Sequence, residues 1–154
     1  MSKIILIFTS MSGNTEMMAE AIAEGIREVE GKLDIINIMD GLEATDLENY
    51  DGILLGTYTW ADGELPDEFL DFYEEVDNVH LTGKKTAVFG SCNSAFPQYG
   101  AAVDILIEKL EVRGAQVYSE GLKVELTPDQ EDIEVCRELG KNFVAFLNKY
   151  ICVA

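Results

Sequence analysis

Three short stretches of this chain carry side chains suited to holding a ligand, and each follows an apolar run. The first, Ser10-Met11-Ser12-Gly13-Asn14-Thr15, offers hydroxyls, an amide and a glycine, with neither Lys nor Arg. The second, Thr57 to Pro66, contains Tyr58, Thr59, Trp60, Ala61 and Asp62; the third, Ser91 to Tyr99, contains Cys92, Asn93 and Phe96. Neutral donors suffice for a phosphate when they stand at a helix start, where backbone N–H groups are unpaired and carry partial positive charge. Glycine at position 13 lets the backbone curl close to such an anion. The same residues also suit an ordinary turn with Ser12 or Asn14 as N-cap. Each aromatic residue taken singly fits core packing. Together they lie in loops where no helix or strand face accounts for them, and they suit a ligand with a flat ring at one end and a phosphate at the other.

Positioning these loops falls to alternating strands and helices. Lys3 to Phe8 reads as a strand apolar on both faces, hence central in a parallel sheet, and Met18, Ile22, Ile26 and Val29 give the next segment a helical period. Leu33 to Ile38 reads as a more exposed second strand, Ala44 to Leu47 as a helical turn, and Tyr50 to Gly56 as a third strand. Pro66 opens a helix with Phe69, Leu70, Phe72, Tyr73 and Val76 inward and Asp67, Glu68, Asp71, Glu74 and Glu75 outward. A fourth strand, Thr86 to Phe89, precedes a helix built on Val103, Leu106, Ile107 and Leu110 and ended by Gly114. The fifth strand comes in two parts, Gln116 to Tyr118 and Leu122 to Leu126, around Gly121. Thr127-Pro128-Asp129-Gln130 predicts a helix start capped by Thr127, and Ile133, Cys136, Gly140, Phe143 and Leu147 continue it. The pattern predicts an α/β fold, an open parallel sheet covered on both faces, in one domain over residues 1–154. Ligands of such sheets bind beyond the carboxyl ends of the strands where strand order reverses, and the three loops open at that edge.

Composition narrows the partners. Hydrophobic residues make up 47% of 154, enough for a full core, and no apolar run is long enough to span a membrane. Ile4 to Phe8 is too short for a signal-peptide core, so a cytoplasmic protein is expected. Three cysteines without a Cys-x-x-Cys pair argue against a disulfide framework or zinc ribbon, and the single His80 reads as a loop residue. With 29 acids against 11 bases the net charge is −18, which disfavours nucleic acid and anionic membranes and favours a basic protein partner. Plain solubility accounts for the charge equally well.

Other phosphate sites fail on their own requirements. The first loop has one glycine where a dinucleotide fold needs Gly-x-Gly-x-x-Gly, and no Lys where a nucleoside triphosphatase needs one. A phosphoreceiver needs carboxylates at the ends of strands one and three, where this chain has Thr9-Ser10 and Thr57.

What remains resembles the flavodoxins, in their short-chain form, from Lys3 to about Leu147. Ser10 to Thr15 is similar to that family's phosphate loop, Thr59 to Leu65 to its inner ring-binding loop, and Asn93 to Tyr99 lies where its outer one lies. The resemblance implies a flavodoxin-like doubly wound sheet of five parallel strands in the order 2-1-3-4-5, in a monomer. It implies non-covalent FMN as cofactor and one-electron transfer as function. Ser10, Ser12, Asn14 and Thr15 would donate to the phosphate, Met11 offering only its N–H. Trp60 would cover the inner ring face and Phe96 the outer, with the backbone of Ser91 to Asn93 at the pyrimidine edge. Thr57, Tyr58, Thr59 and Tyr99 complete the expected contacts. The Ala61–Asp62 peptide would turn towards flavin N5; several relatives have glycine where Ala61 stands, so weaker stabilisation of the one-electron state is expected. Asp62, Glu64, Asp67 and Glu68 would lower the second potential and steer basic partners. Those partners would be an NADPH-dependent flavodoxin or ferredoxin reductase as donor and a haem monooxygenase, desaturase or similar enzyme as acceptor. The alternatives are an FMN-dependent NAD(P)H:flavin or quinone reductase on the same fold, and a cofactor-free interaction module. Cys92 is expected to be a small packing residue.

Overall fold

The computed structural model describes residues 3–10, 13–29, 32–59, 64–93, 100–118 and 121–153, with 149–153 described in backbone only. Strand β1 (Ile4–Phe8) is buried along its whole length because its alternate side chains enter two different layers. Ile5 and Ile7 pack with Ile53, Leu55, Phe69, Val103 and Leu106 on one face. Ile4, Leu6 and Phe8 pack with Met18, Ile22, Ile26 and Phe143 on the other. A strand that feeds both layers must be apolar throughout, which is the pattern its sequence shows.

Strands β2 (Asp34–Asn37), β3 (Gly52–Tyr58), β4 (Lys85–Cys92) and β5 (Gln116–Val117) complete the order β2-β1-β3-β4-β5, and β6 (Leu122–Glu125) also pairs with β4. All pairings are parallel. The predicted sheet and its strand order are thus present, with β5 and β6 as two halves of the fifth strand. They meet β4 at Lys85–Thr86 and at Phe89–Cys92 respectively. Helices α1 (Asn14–Val29) and α4 (Gln130–Val153) cover one face; α2 (Asp67–Glu75) and α3 (Ala101–Val112) cover the other. Among the described residues no helix is long and apolar enough to cross a membrane.

Several details differ from the sequence reading. Strands β3 and β4 run further than expected, so Thr57, Tyr58, Ser91 and Cys92 are strand residues rather than loop residues. Gly90 and Ser91 look like turn formers, yet they pair with Thr57 and Tyr58 on one side and with Lys123 and Val124 on the other. Two flanking ladders outweigh weak local propensity. Val29 (56% exposed) and Leu70 (41%) face solvent instead of the core. The start of α4 is capped by Asp129 and not by Thr127: Asp132 N donates to Asp129 Oδ1 (2.8 Å) and Asp129 N to Asp132 Oδ2 (3.0 Å), a reciprocal cap.

Helices α1 and α4 approach closely at two glycines. A Cβ on Gly25 would lie 2.0 Å from the carbonyl oxygen of Arg137, and one on Gly140 would lie 2.2 Å from that of Ile22. Each glycine therefore receives the backbone of the opposite helix. Arg137 of α4 braces the crossing from outside through Glu24 of α1 (2.8 Å), its guanidinium also held by Glu134 (2.8 Å) within α4. Lys85, buried at the start of β4, donates to the Phe146 carbonyl (3.2 Å) with its ammonium 4.6 Å from the Phe146 ring centre, which ties α4 to the sheet.

Candidate functional site at the carboxyl edge of the sheet

Strand order reverses between β1 and β3, so their carboxyl ends diverge into connections on opposite faces and leave a crevice there. The register brings the three predicted loops to this one place. Phe8 pairs with Gly56, Thr57 with Gly90 and Tyr58 with Ser91, so β1, β3 and β4 end side by side.

Ser10 stands at the end of β1, just before α1. Its Oγ accepts from Gly13 N (3.0 Å) and Glu16 N (3.3 Å), which caps the helix start. With its lone pairs facing the helix, the hydroxyl proton is available to an acceptor on the other side. Gly13 has φ +92°, a left-handed backbone that an L side chain adopts only with strain. The N–H groups of Asn14 and Thr15 precede the first intrahelical acceptors. Thr15 itself is buried, its Oγ1 2.7 Å from Ser91 Oγ at the end of β4. This hydrogen bond joins the first loop to the third. Thr59 joins the second to α3, its Oγ1 accepting from Ala102 N (3.3 Å).

The structure thus brings together Ser10, Gly13, Asn14, Thr15, Thr57, Tyr58, Thr59, Ser91, Cys92 and Asn93 of the predicted site. Met11, Ser12, Trp60, Ala61, Asp62, Phe96 and Tyr99 lie outside the described residues. Thr57 is fully buried with its hydroxyl donating to the Tyr58 carbonyl (2.8 Å). Cys92 is also buried, and burial pushes its thiol up to about 11; Cys136, on the buried face of α4, is pushed to about 12. Neither is a reactive thiolate. In a Cys152→Ser variant near pH ~8 both thiols are expected to resist a disulfide reagent until denaturant is added. Rapid reaction of one thiol in the folded protein would contradict this placement.

Two residues at the site were not singled out as contacts from sequence. Thr9 Oγ1 donates to Glu68 Oε2 (2.6 Å), and Tyr58 OH donates to the same oxygen (2.8 Å). Burial by itself would raise the Glu68 carboxyl; hydrogen bonds from Thr9, its own backbone N–H and Tyr58 outweigh that and hold it below the usual range. The stabilisation this gives is present above the ordinary carboxylate range and is lost as pH falls through the lowered value. Burial and Glu68 together raise the Tyr58 phenol, which stays protonated. No motif marked Glu68, because an acid on the wet side of a helix is ordinary in so acidic a chain.

A doubly wound sheet with uncharged donors at a helix start on its switch point defines a phosphate-bearing cofactor protein of the α/β class. The flavodoxin family profile matches residues 6–140, and the chain belongs to that family. It is 44% identical over 153 residues to probable flavodoxin 1 of Bacillus subtilis, covering 97% of this chain and 96% of that one. It is 64% identical to the crystal structure of oxidised flavodoxin 1 from Bacillus cereus, with a TM-score of 0.91 over 94% of this chain and 98% of that one. A third relative, the anaerobic nitric oxide reductase flavorubredoxin of Escherichia coli, is 33% identical over 90% of this chain but over only 29% of its own length. Flavodoxins are FMN-dependent electron carriers rather than enzymes, and they exchange electrons with other redox proteins.

Proposed function

We propose that this chain holds FMN non-covalently in the crevice between β1, β3 and β4 and carries single electrons between a reductase and acceptor enzymes in the cytoplasm. The observation that carries this reading is the meeting of the capped α1 start, with its neutral hydroxyl and backbone donors, with the ends of β3 and β4 at the switch point. Its donor chemistry suits FMN: hydroxyl and backbone N–H groups for a phosphate at one end, and strand-end backbone for a ring at the other.

Bound FMN supplies the redox chemistry; the protein supplies binding, orientation and electrostatics. Ser10 would donate a hydrogen bond from its hydroxyl to the phosphate, and Asn14 and Thr15 would donate from backbone N–H groups aligned with the helix dipole. The Thr15 hydroxyl is held by Ser91, so Thr15 acts on the phosphate through its backbone and on β4 through its side chain. Cys92 and Asn93 offer backbone at the edge of the ring, and the buried Thr57 holds the end of β3 beside them. Met11, Ser12, Trp60, Ala61, Asp62, Phe96 and Tyr99 take the roles that the family resemblance gives them. Glu64 and Asp67 are exposed beside the second loop, and with a net charge of −18 they attract a basic partner and disfavour further negative charge on the flavin. An NADPH-dependent flavodoxin or ferredoxin reductase fits as donor, and a haem monooxygenase or desaturase as acceptor.

Stepwise anaerobic reduction of the FMN-loaded protein tests this directly. Two separate one-electron changes in the visible spectrum are expected. A single two-electron bleaching, together with steady NAD(P)H consumption by the isolated protein, would overturn the carrier reading in favour of a reductase.

A further inference from the structure

Both ends of the segment that leads from β3 to α2 meet at one carboxylate oxygen. Glu68, in the first turn of α2, accepts at Oε2 from the hydroxyl of Tyr58, ten residues earlier at the end of β3. The same oxygen accepts from Thr9 Oγ1 at the end of β1, one residue before Ser10. At 2.6 and 2.8 Å both are close hydrogen bonds, and an ionised acceptor makes such bonds roughly twice as strong as neutral ones. Thr9 is only 1% exposed, and its backbone N–H is fixed by the Gly56 carbonyl (3.0 Å), so one of the two donors is rigid. Tyr58 and Glu68 are partly buried, which limits competition from water.

We propose that Glu68 is a positioning residue of the FMN site: its carboxylate ties the first turn of α2 to Tyr58 at the end of β3 and to Thr9 beside Ser10. This role rests on the FMN reading of the crevice. Holding the start of α2 against both strand ends removes freedom that ligand binding would otherwise have to remove. Glu68 acts through Thr9, the neighbour of Ser10, and through Tyr58. Because both donors reach the same oxygen, glutamine can replace the acceptor without its charge, whereas alanine cannot.

The alternative role, a fixed negative charge that repels the phosphate, makes the opposite prediction, since both substitutions would then tighten FMN. Wild type, Glu68→Ala, Glu68→Gln, Tyr58→Phe and Tyr58→Phe/Glu68→Ala are compared as apoproteins. FMN affinity is read from flavin fluorescence, and loop opening from amide hydrogen exchange without flavin. In Glu68→Ala, FMN is expected to bind about tenfold more weakly, and amides at 57–59 and 64–69 to exchange about tenfold faster while those of α4 do not change. Glu68→Gln is expected to stay within about threefold of wild type in both. Tyr58→Phe should have an intermediate effect alone and a smaller one when added to Glu68→Ala. Wild-type affinity and exchange in Glu68→Ala, or equal shifts in the Ala and Gln variants, would overturn the proposal. A wild type that binds no FMN would overturn the reading of the crevice and this role with it, an outcome distinct from normal binding that ignores Glu68.

Discussion

Gly140→Ala is expected to destabilise the protein by about 3 kcal/mol and lower its Tm by about 10 °C, although alanine is the better helix former by about 1 kcal/mol. The added methyl group has no flexible neighbour to displace. It would stand 2.2 Å from the Ile22 carbonyl oxygen and 3.0 Å from the Ile26 nitrogen, both backbone atoms of α1. The helices must separate to admit it, and separation loosens Met18, Ile22, Ile26, Cys136 and Phe143 together, since they share one packed layer. Gly25→Ala should act in the same direction, because its Cβ would fall 2.0 Å from the Arg137 carbonyl. The double variant is expected to lose less than the sum, as helices already spread for one methyl group accommodate the other. Thermal and urea unfolding of the three variants checks this, and a raised Tm for Gly140→Ala would rule out so close a crossing. FMN affinity of the folded fraction should be unaffected, because Gly25 lies at the end of α1 away from Asn14.

Ser10→Asp is expected to separate two properties that the same oxygen serves. An aspartate can accept from Gly13 N and Glu16 N as Ser10 does, and it suits the positive end of the helix, so apoprotein stability should hold or rise. Towards a phosphate the effect reverses, because a donating hydroxyl becomes a second anion. Two unit charges about 4 Å apart near a protein surface repel by about 4 kcal/mol, so FMN should bind about 1000-fold more weakly. Riboflavin, which has the ring without the phosphate, should be affected little. Ser10→Ala should weaken FMN by about tenfold and cost about 1 kcal/mol of stability through the lost cap. Titration of each variant with both flavins decides the matter. Equal weakening of riboflavin and FMN by Ser10→Asp would mean that no phosphate lies against this loop.

The contrast between Gly13 and Gly140 shows how far residue types alone could be read. Gly13 follows a buried strand among hydroxyl residues, and that local setting was enough to predict a turn with unusual backbone; φ of +92° is what it has. Gly140 sits among residues of helical period, and nothing in its neighbours announces that another helix's backbone passes within reach. Ser91 was read as a loop residue from its neighbours, yet it ends a buried strand and holds Thr15 from 76 positions away in sequence. Glu68 had every mark of a solvated acid. Residue types alone assign it a part at the site only through its charge, and its hydrogen bonds to Thr9 and Tyr58 exist because those residues end adjacent strands.

What the sequence determined by itself was the alternation of strand and helix, the apolar character of β1 on both faces, and the chemistry of the loop from Ser10 to Thr15. These are set by contacts between near neighbours, by periodicity and by the unpaired donors of a helix start. The lengths of β3 and β4, the α1–α4 crossing at two glycines, and the meeting of Thr9, Tyr58 and Glu68 were decided only by the tertiary structure. Each depends on groups distant in the chain that share a hydrogen bond or a close packing contact, and such interactions form only when the sheet brings their elements together.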